Sequence, residues 1–337
     1  MMYDCHMSHP SDVSRYAKMV YRKAGDNGLK LPVVSLGLWH NFGAEADPLV
    51  CRDIVATAFD HGITHFDLAD NYGPPPGAAE CRFGEILRTT LASHRDELVV
   101  SSKAGYQMWP GPYGDWGSRK HIIAGCDQSL KRLGLDYVDI FYHHRPDPNT
   151  PLEETMGALA SLVRSGKALY VGISNYHAAE AVKAIRILND MGCPCVLDQV
   201  RYSMLDRWTE KDHLFSALGG KTGVICFSPL AQGLLTDTYL SGTIPAGSRA
   251  KENGSLKAER ITHSLVVRLN KLDAIAKKRG QSLSQMAVSW LLRNEGVTSV
   301  LVGARNPQQL LQILECVETN PSFSAEELNM IDKITEA

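Results

Sequence analysis

Along this chain, short apolar runs alternate with longer stretches in which apolar residues recur at helical spacing. The short runs predict strands at 33–36, 63–69, 97–103, 137–144, 168–174, 195–200, 223–228 and 298–303. Between and after them, helical spacing predicts helices at 47–61, 77–91, 119–134, 151–166, 177–192, 264–280, 282–294 and 307–318. A short helical stretch is expected near 210–219, and 229–260 is the longest irregular segment. Boundary residues agree: Ser118 opens a helix, Pro151 sits in a first turn, and Gly134, Gly166, Gly192 and Gly280 end helices. Strand–helix alternation implies parallel strands joined by crossovers, and eight of them imply closure into a (β/α)8 barrel of the TIM type.

An open doubly wound sheet is the rival fold. It usually carries GxGxxG after the first strand, where this chain reads SLGLWHNFG. There is no Walker A motif and no nucleophile elbow. Before the first barrel strand, Asp26-Asn27-Gly28 predicts a hairpin turn, and a small hairpin there would plug the barrel's N-terminal end. Residues 1–18 lack periodicity and are expected to form a mobile tail, with 19–337 as one barrel domain and extra helices at its C-terminal end.

Composition narrows the classes. The 337 residues are 44% hydrophobic and 21% charged, with net charge −2, so no global field favours nucleic acid or an anionic membrane. No run of about 18 apolar residues is present, and the polar start lacks a signal-peptide core. The eight cysteines are scattered without CxxC spacing, which predicts reduced thiols, a cytoplasmic location and no metal site.

In a barrel, chemistry collects at the C-terminal strand ends. Here those ends bring Asp67 and Tyr72, Lys103, His143 and His144, Ser174 and Asn175, Gln199, and Phe227 and Ser228 to one rim. A carboxylate, a phenol, an ammonium and an imidazole together suit acid–base work on a carbonyl. Hydride reaching carbon drives negative charge onto oxygen, which must be protonated as it develops. A phenol, with a pKa near 10, is a reluctant acid, and a neighbouring ammonium lowers that value. Lys103 can supply the ammonium, Asp67 can hold it, and His144 can orient the carbonyl. Taken singly, Asp67 is also a turn cap and Tyr72 a loop-packing residue. Lys103 at the end of a buried strand is harder to explain structurally, because an unpaired buried lysine is costly. Adjacent His143 and His144 point to opposite faces, so only one enters the site.

GITHFDLADNY, with its Asp67-x4-Tyr72 spacing, the lysine of VVSSKAG and the strand YVDIFYHH resemble the Asp, Tyr, Lys, His tetrad of the aldo-keto reductase superfamily over roughly 20–334. The frame of YVDIFYHHR sets His144 on the family's histidine. SLGLWHNFG, NYGPPPGAAE, MWPGPYGDWGSRK, SPLAQGLLT and TSVLVGA resemble the branch of the bacterial L-glyceraldehyde 3-phosphate reductases, near the potassium-channel β-subunits.

The resemblance implies NADPH laid across the rim, with no metal. Ser174, Asn175 and Gln199 would hold the nicotinamide carboxamide, Phe227 would stack on the ring, and Trp39 and Asp67 would border it. Ser228, Leu230, Gln232 and Gly233 would serve the pyrophosphate, Arg249 the adenosine end, and Gly303, Arg305 and Gln309 the 2′-phosphate and adenine. Where relatives commonly carry Glu and Asn, this chain has Gln312 and Ile313, and Arg305 can compensate by gripping phosphate.

Trp39, His40, Tyr106, Trp109 and Trp116 would wall a pocket for a small aldehyde, with Tyr72 and His144 at its reacting end. Leading candidates are L-glyceraldehyde 3-phosphate and methylglyoxal. Arg145, His40 or Arg119 would supply a cation for a substrate phosphate. Relatives in the branch are often oligomers, which leaves homo-oligomerisation open. The alternative class is a redox-sensing auxiliary subunit that binds a partner protein, as the channel β-subunits do.

Overall fold

A computed structural model describes residue 9 and residues 12–251, 256–318 and 322–336. The eight expected barrel strands form as β3 (Val34–Gly37), β4 (His65–Asp67), β5 (Val99–Ala104), β6 (Val138–His143), β7 (Ala168–Ser174), β8 (Cys195–Arg201), β9 (Gly223–Phe227) and β10 (Val297–Val302). They pair in parallel and in sequence order, and β10 closes against β3 through Val300↔Val34 and Val302↔Leu36. This is the (β/α)8 barrel that the alternation predicts.

Helices α1 (Pro48–Asp60), α2 (Ala78–Thr89), α3 (Arg119–Leu133), α4 (Leu152–Arg164) and α5 (Ala178–Asp190) wrap the outside. The stretch near 210–219 splits into α6 (Trp208–Lys211) and α7 (Leu214–Leu218), followed by α8 (His263–Lys278), α9 (Leu283–Leu292) and α10 (Pro307–Leu314). Side-chain caps set several starts: Asp47 accepts from the Leu49 amide, and Ser118 from that of His121. A final helix, α11 (Ala325–Thr335), escaped the periodicity reading, although Ser324 and Glu327 form a reciprocal capping box that announces it.

The hairpin forms as β1 (Tyr21–Lys23) antiparallel to β2 (Lys30–Pro32). Its tight position is Gly25 rather than Gly28. Gly25 has φ +62°, and a Cβ there would lie 2.2 Å from the Lys221 carbonyl oxygen, so only glycine fits. Ala24 and Leu31 pack with Ile140, Leu197, Ile225 and Leu301 inside the barrel, and the hairpin closes its floor. In the segment read as a mobile tail, residues 1–8, 10 and 11 lie outside the described residues. Of the described residues 12–18, Arg15 alone is buried. Val13–Tyr16 makes a 3-10 turn, and the Arg15 guanidinium is buried 4.0 Å from the Phe59 ring centre. The reason is a cation–π contact that no periodicity reports.

Candidate active site

Alternation along each strand decides what enters the barrel. On β4, His65 and Asp67 share the inner face, as do Ser101 and Lys103 on β5. The β6 series Ile140, Tyr142 and His144 likewise points inward, because Ile140 and Tyr142 belong to the interior cluster. His143 faces out, where its Nδ1 meets the Tyr176 hydroxyl at 2.6 Å. The inner rows end at the rim in a cleft of about 1350 Å³ that Trp39, His40, Asp67, Tyr72, Tyr106 and His144 help line.

Lys103 is fully buried. Its Nζ donates to Asp67 Oδ2 at 2.6 Å, to the Leu68 carbonyl at 2.6 Å and to the Tyr72 hydroxyl at 3.3 Å. Asp67 Oδ1 accepts in addition from Ser101 Oγ at 2.7 Å and Gln199 Nε2 at 3.0 Å. The carboxylate is therefore surrounded by donors, which compensates its burial. His144 presents its ring edge-on to Tyr72 at 5.9 Å and to Tyr106 at 4.6 Å, and its buried Nδ1 has no hydrogen-bond partner among the described residues.

The acidities correct one expectation. Burial, and then the Asp67 carboxylate, hold the Tyr72 phenol well above its ordinary value, not below it. Desolvation outweighs the nearby ammonium and keeps the phenol protonated. The same burial lowers Lys103 against the pull of Asp67. Burial, then the Lys103 charge, push His144 well below the usual imidazole range, so its ring is neutral near pH 7.

Beneath Asp67 runs a row of buried polar contacts. Ser101 Oγ meets His65 Nε2 at 3.0 Å, His65 Nδ1 meets Ser35 Oγ at 2.9 Å, and Ser35 Oγ meets Ser299 Oγ at 2.6 Å. Ser299 Oγ in turn donates to the Pro32 carbonyl at 2.6 Å, joining the rim to the floor hairpin.

The remaining sequence-chosen residues divide. Asn175, Gln199, Phe227, Ser228, Leu230, Gln232, Gly233, Arg249, Gly303, Arg305 and Gln309 line the cleft. Asn175, Ser228, Ala231 and Gln232 adopt φ between +48° and +64°, a strained conformation typical of functional loops. Arg249 and Arg305 stand close enough to lower the Arg249 acidity range together with burial, and neither meets a carboxylate among the described residues. Ser174 stays beneath the surface, its Oγ donating to the Gln199 carbonyl at 2.8 Å. Gln309 uses its side-chain oxygen on the Arg305 amide at 2.8 Å.

Four residues chosen for substrate, Trp109, Trp116, Arg145 and Arg119, do not line the cleft. Trp109 packs 5.0 Å from the His121 ring. Arg145 is clamped by the Gly105 carbonyl at 2.8 Å and Asp115 at 2.7 Å, between the Tyr106 and Trp116 rings at 4.2 and 3.7 Å. Arg119 bonds Gly157 and Ser161 on the outer helices. Loop packing holds Trp109, Trp116 and Arg145, and helix–helix contact holds Arg119. Conversely, the cleft recruits Asn41, His177, Arg201 and Trp208, which the sequence reading passed over. Arg201 was within reach of that reading: it lies two residues past Gln199 on the same strand face.

Among the described residues no helix is long and apolar enough to cross a membrane, and no three His, Cys, Asp or Glu side chains gather as a metal site. Comparison with known proteins adds the lineage. A family model described as the Aldo/keto reductase family matches residues 33–336. The L-glyceraldehyde 3-phosphate reductases of Escherichia coli O157:H7 and of strain K12 are each 52% identical over 324 residues, covering 95% of this chain and 93% of theirs. A probable voltage-gated potassium channel subunit beta of Arabidopsis thaliana is 35% identical over 326 residues, 95% of this chain and 97% of its own. With a donor-ringed Asp67, its lysine and a phenol at the mouth of an eight-stranded barrel, and with this span of likeness, the chain belongs to the aldo/keto reductase family of oxidoreductases.

Proposed function

We propose that this protein reduces small aldehydes with NADPH, with L-glyceraldehyde 3-phosphate as the leading substrate and methylglyoxal as a related one. The observation that carries the reading is the contact of Lys103 Nζ with both Asp67 and the Tyr72 hydroxyl. NADPH, when bound, supplies hydride to the carbonyl carbon. Tyr72 is the proton donor to the carbonyl oxygen. Its raised acidity range keeps the proton in place until charge develops, and Lys103 then stabilises the phenolate that forms. Neutral His144 donates one N–H and fixes the carbonyl's direction.

The cleft residues fit the dinucleotide. Arg249 and Arg305, two neighbouring guanidiniums that meet no carboxylate among the described residues, suit a dianionic 2′-phosphate and favour NADPH over NADH. Asn175 and Gln199 offer amide groups beside Asp67, and Phe227 offers a flat face for the nicotinamide. An acid–base set of this completeness supports turnover rather than a binding-only role as an auxiliary subunit.

The test is oxidation of NADPH, with NADH in parallel, across a panel of aldehydes by wild type and Tyr72→Phe. General acid catalysis is worth about 10²–10⁴-fold, so the variant should lose that much turnover while its NADPH affinity stays the same. Retained turnover in Tyr72→Phe refutes the donor assignment.

A further inference from the structure

A phosphorylated aldehyde needs a cation near the reacting end of the cleft, and the described residues offer few. Arg145 and Arg119 are engaged away from the cleft. His40 lines it, but burial, aided by Arg249, pushes its pKa down to about 4, so it carries no charge near neutrality. Arg249 and Arg305 stand beside one another, with Arg305 Nη1 on the Gly247 carbonyl, at the end assigned above to the adenosine phosphate. One lining guanidinium is left.

We propose that Arg201 is the specificity residue that receives the substrate's phosphate, an inference that rests on the aldehyde-reductase reading above. Arg201 lies two residues beyond Gln199 on β8 and faces the same side, with its backbone registered against Phe227. Gln199 itself touches Asp67 at 3.0 Å, so this strand runs from the reacting centre outward. Two residues of strand span roughly 6.6 Å. In a triose phosphate, four bonds separate the carbonyl carbon from phosphorus, a reach of about 5 Å. The lengths match.

The side chain is also prepared for an anion. Asp206 takes Arg201 Nε at 2.6 Å. The carboxylate is itself held on a small turn in which Ser203 and Asp206 exchange backbone hydrogen bonds of 3.1 Å. The ion pair holds the guanidinium in place, and no second carboxylate meets it among the described residues, so the planar fork that can grip a phosphate stands at the cleft wall. Trp208 and His177, with ring centres 4.6 Å apart, complete the wall on this side.

The experiment compares Arg201→Gln with wild type on L-glyceraldehyde 3-phosphate and on unphosphorylated L-glyceraldehyde. A hydrogen bond to a charged group contributes about 1.5–3 kcal/mol, so KM for the phosphorylated aldehyde should rise roughly 10–100-fold. Kinetics on the unphosphorylated aldehyde and the Kd for NADPH should not move. Equal effects on both aldehydes, or none, overturn the assignment. A weakened NADPH Kd also overturns it, giving the guanidinium to the cofactor's phosphates instead. Calorimetric titration with glycerol 3-phosphate, which needs no turnover, should detect binding to wild type and weakened binding to the variant. Phosphate binding that depends on Arg201 without any aldehyde turnover would sink the reductase reading and leave the anion site standing. Turnover with glycerol 3-phosphate bound equally by both proteins would do the reverse.

Discussion

The two halves of the barrel interior are built from different chemistry. Across β10, β3, β4 and β5 the inner layer is Ser299, Ser35, His65 and Ser101, hydrogen-bonded in a row that ends on Asp67. Across β6, β8 and β9 the corresponding space holds Ile140, Tyr142, Leu197 and Ile225, joined from below by Ala24 and Leu31. Both sides are parallel strands of one closed barrel, and side-chain polarity makes the difference. A buried carboxylate is tolerated only where donors surround it, and the polar half supplies them. The apolar half contributes close packing. At Gly172 an added Cβ would lie 2.4 Å from the Tyr142 ring, so glycine is what lets that ring lie inside.

Substituting one residue in each half exposes this contrast. Lys103→Met leaves the Asp67 charge buried without its cation, and the expected loss is about 3–5 kcal/mol of stability together with nearly all turnover. Denaturant titration and steady-state assay measure the two effects, and a stable, active variant would contradict the pairing. Leu31→Ala in the floor should cost about 2–5 kcal/mol by leaving a cavity. The folded variant's kcat should match wild type, because the residue lies at the opposite end from the chemistry. A parallel fall in kcat would mean that the halves are not separable.

The smallest effect is on the pH profile. Burial lowers the Lys103 acidity range, so raising the pH deprotonates it before an ordinary lysine, whose value is about 10.4. Once neutral, it no longer stabilises the phenolate, so kcat should fall on the alkaline side, with a midpoint under that value. His144, kept neutral by burial and by Lys103, should add no acid limb between pH 6 and 7. A kcat that is flat to pH 10 would remove Lys103 from the acid–base set.

The barrel was legible because strand and helix periods differ and because caps punctuate the helices. Asp67, Tyr72, Lys103 and His144 were legible because strand ends fix position, whatever the loops do. Loops were not. Trp109 and Arg145 follow strands near the site, yet His121 and Asp115 draw them elsewhere, and such distant pairing leaves no local pattern. Gly25 was missed in favour of Gly28 because its need comes from the Lys221 carbonyl, almost two hundred positions away. The acidity of Tyr72 was misjudged in direction because burial is a property of the folded whole.

The row from Pro32 to Asp67 has a consequence for one proton. Five contacts join its six groups, and both end groups only accept. Three hydroxyls bring three protons, and His65, held by burial near a pKa of about 4 and so uncharged, brings one more. One contact must stay empty. A bond to a carboxylate is worth about 1.5–3 kcal/mol and a neutral one about 0.5–1.5, so Ser101 keeps its proton on Asp67 and the gap falls among the four neutral contacts. The Asp67 charge, which acts on His65 from the Ser101 side, draws the imidazole hydrogen to Nε2, toward Ser101, and leaves Nδ1 bare. Nitrogen-15 chemical shifts of His65 read this directly, and a proton found on Nδ1 would mean that the carboxylate does not govern the row. A choice of tautomer deep in the core is thus made by the charge at the barrel mouth.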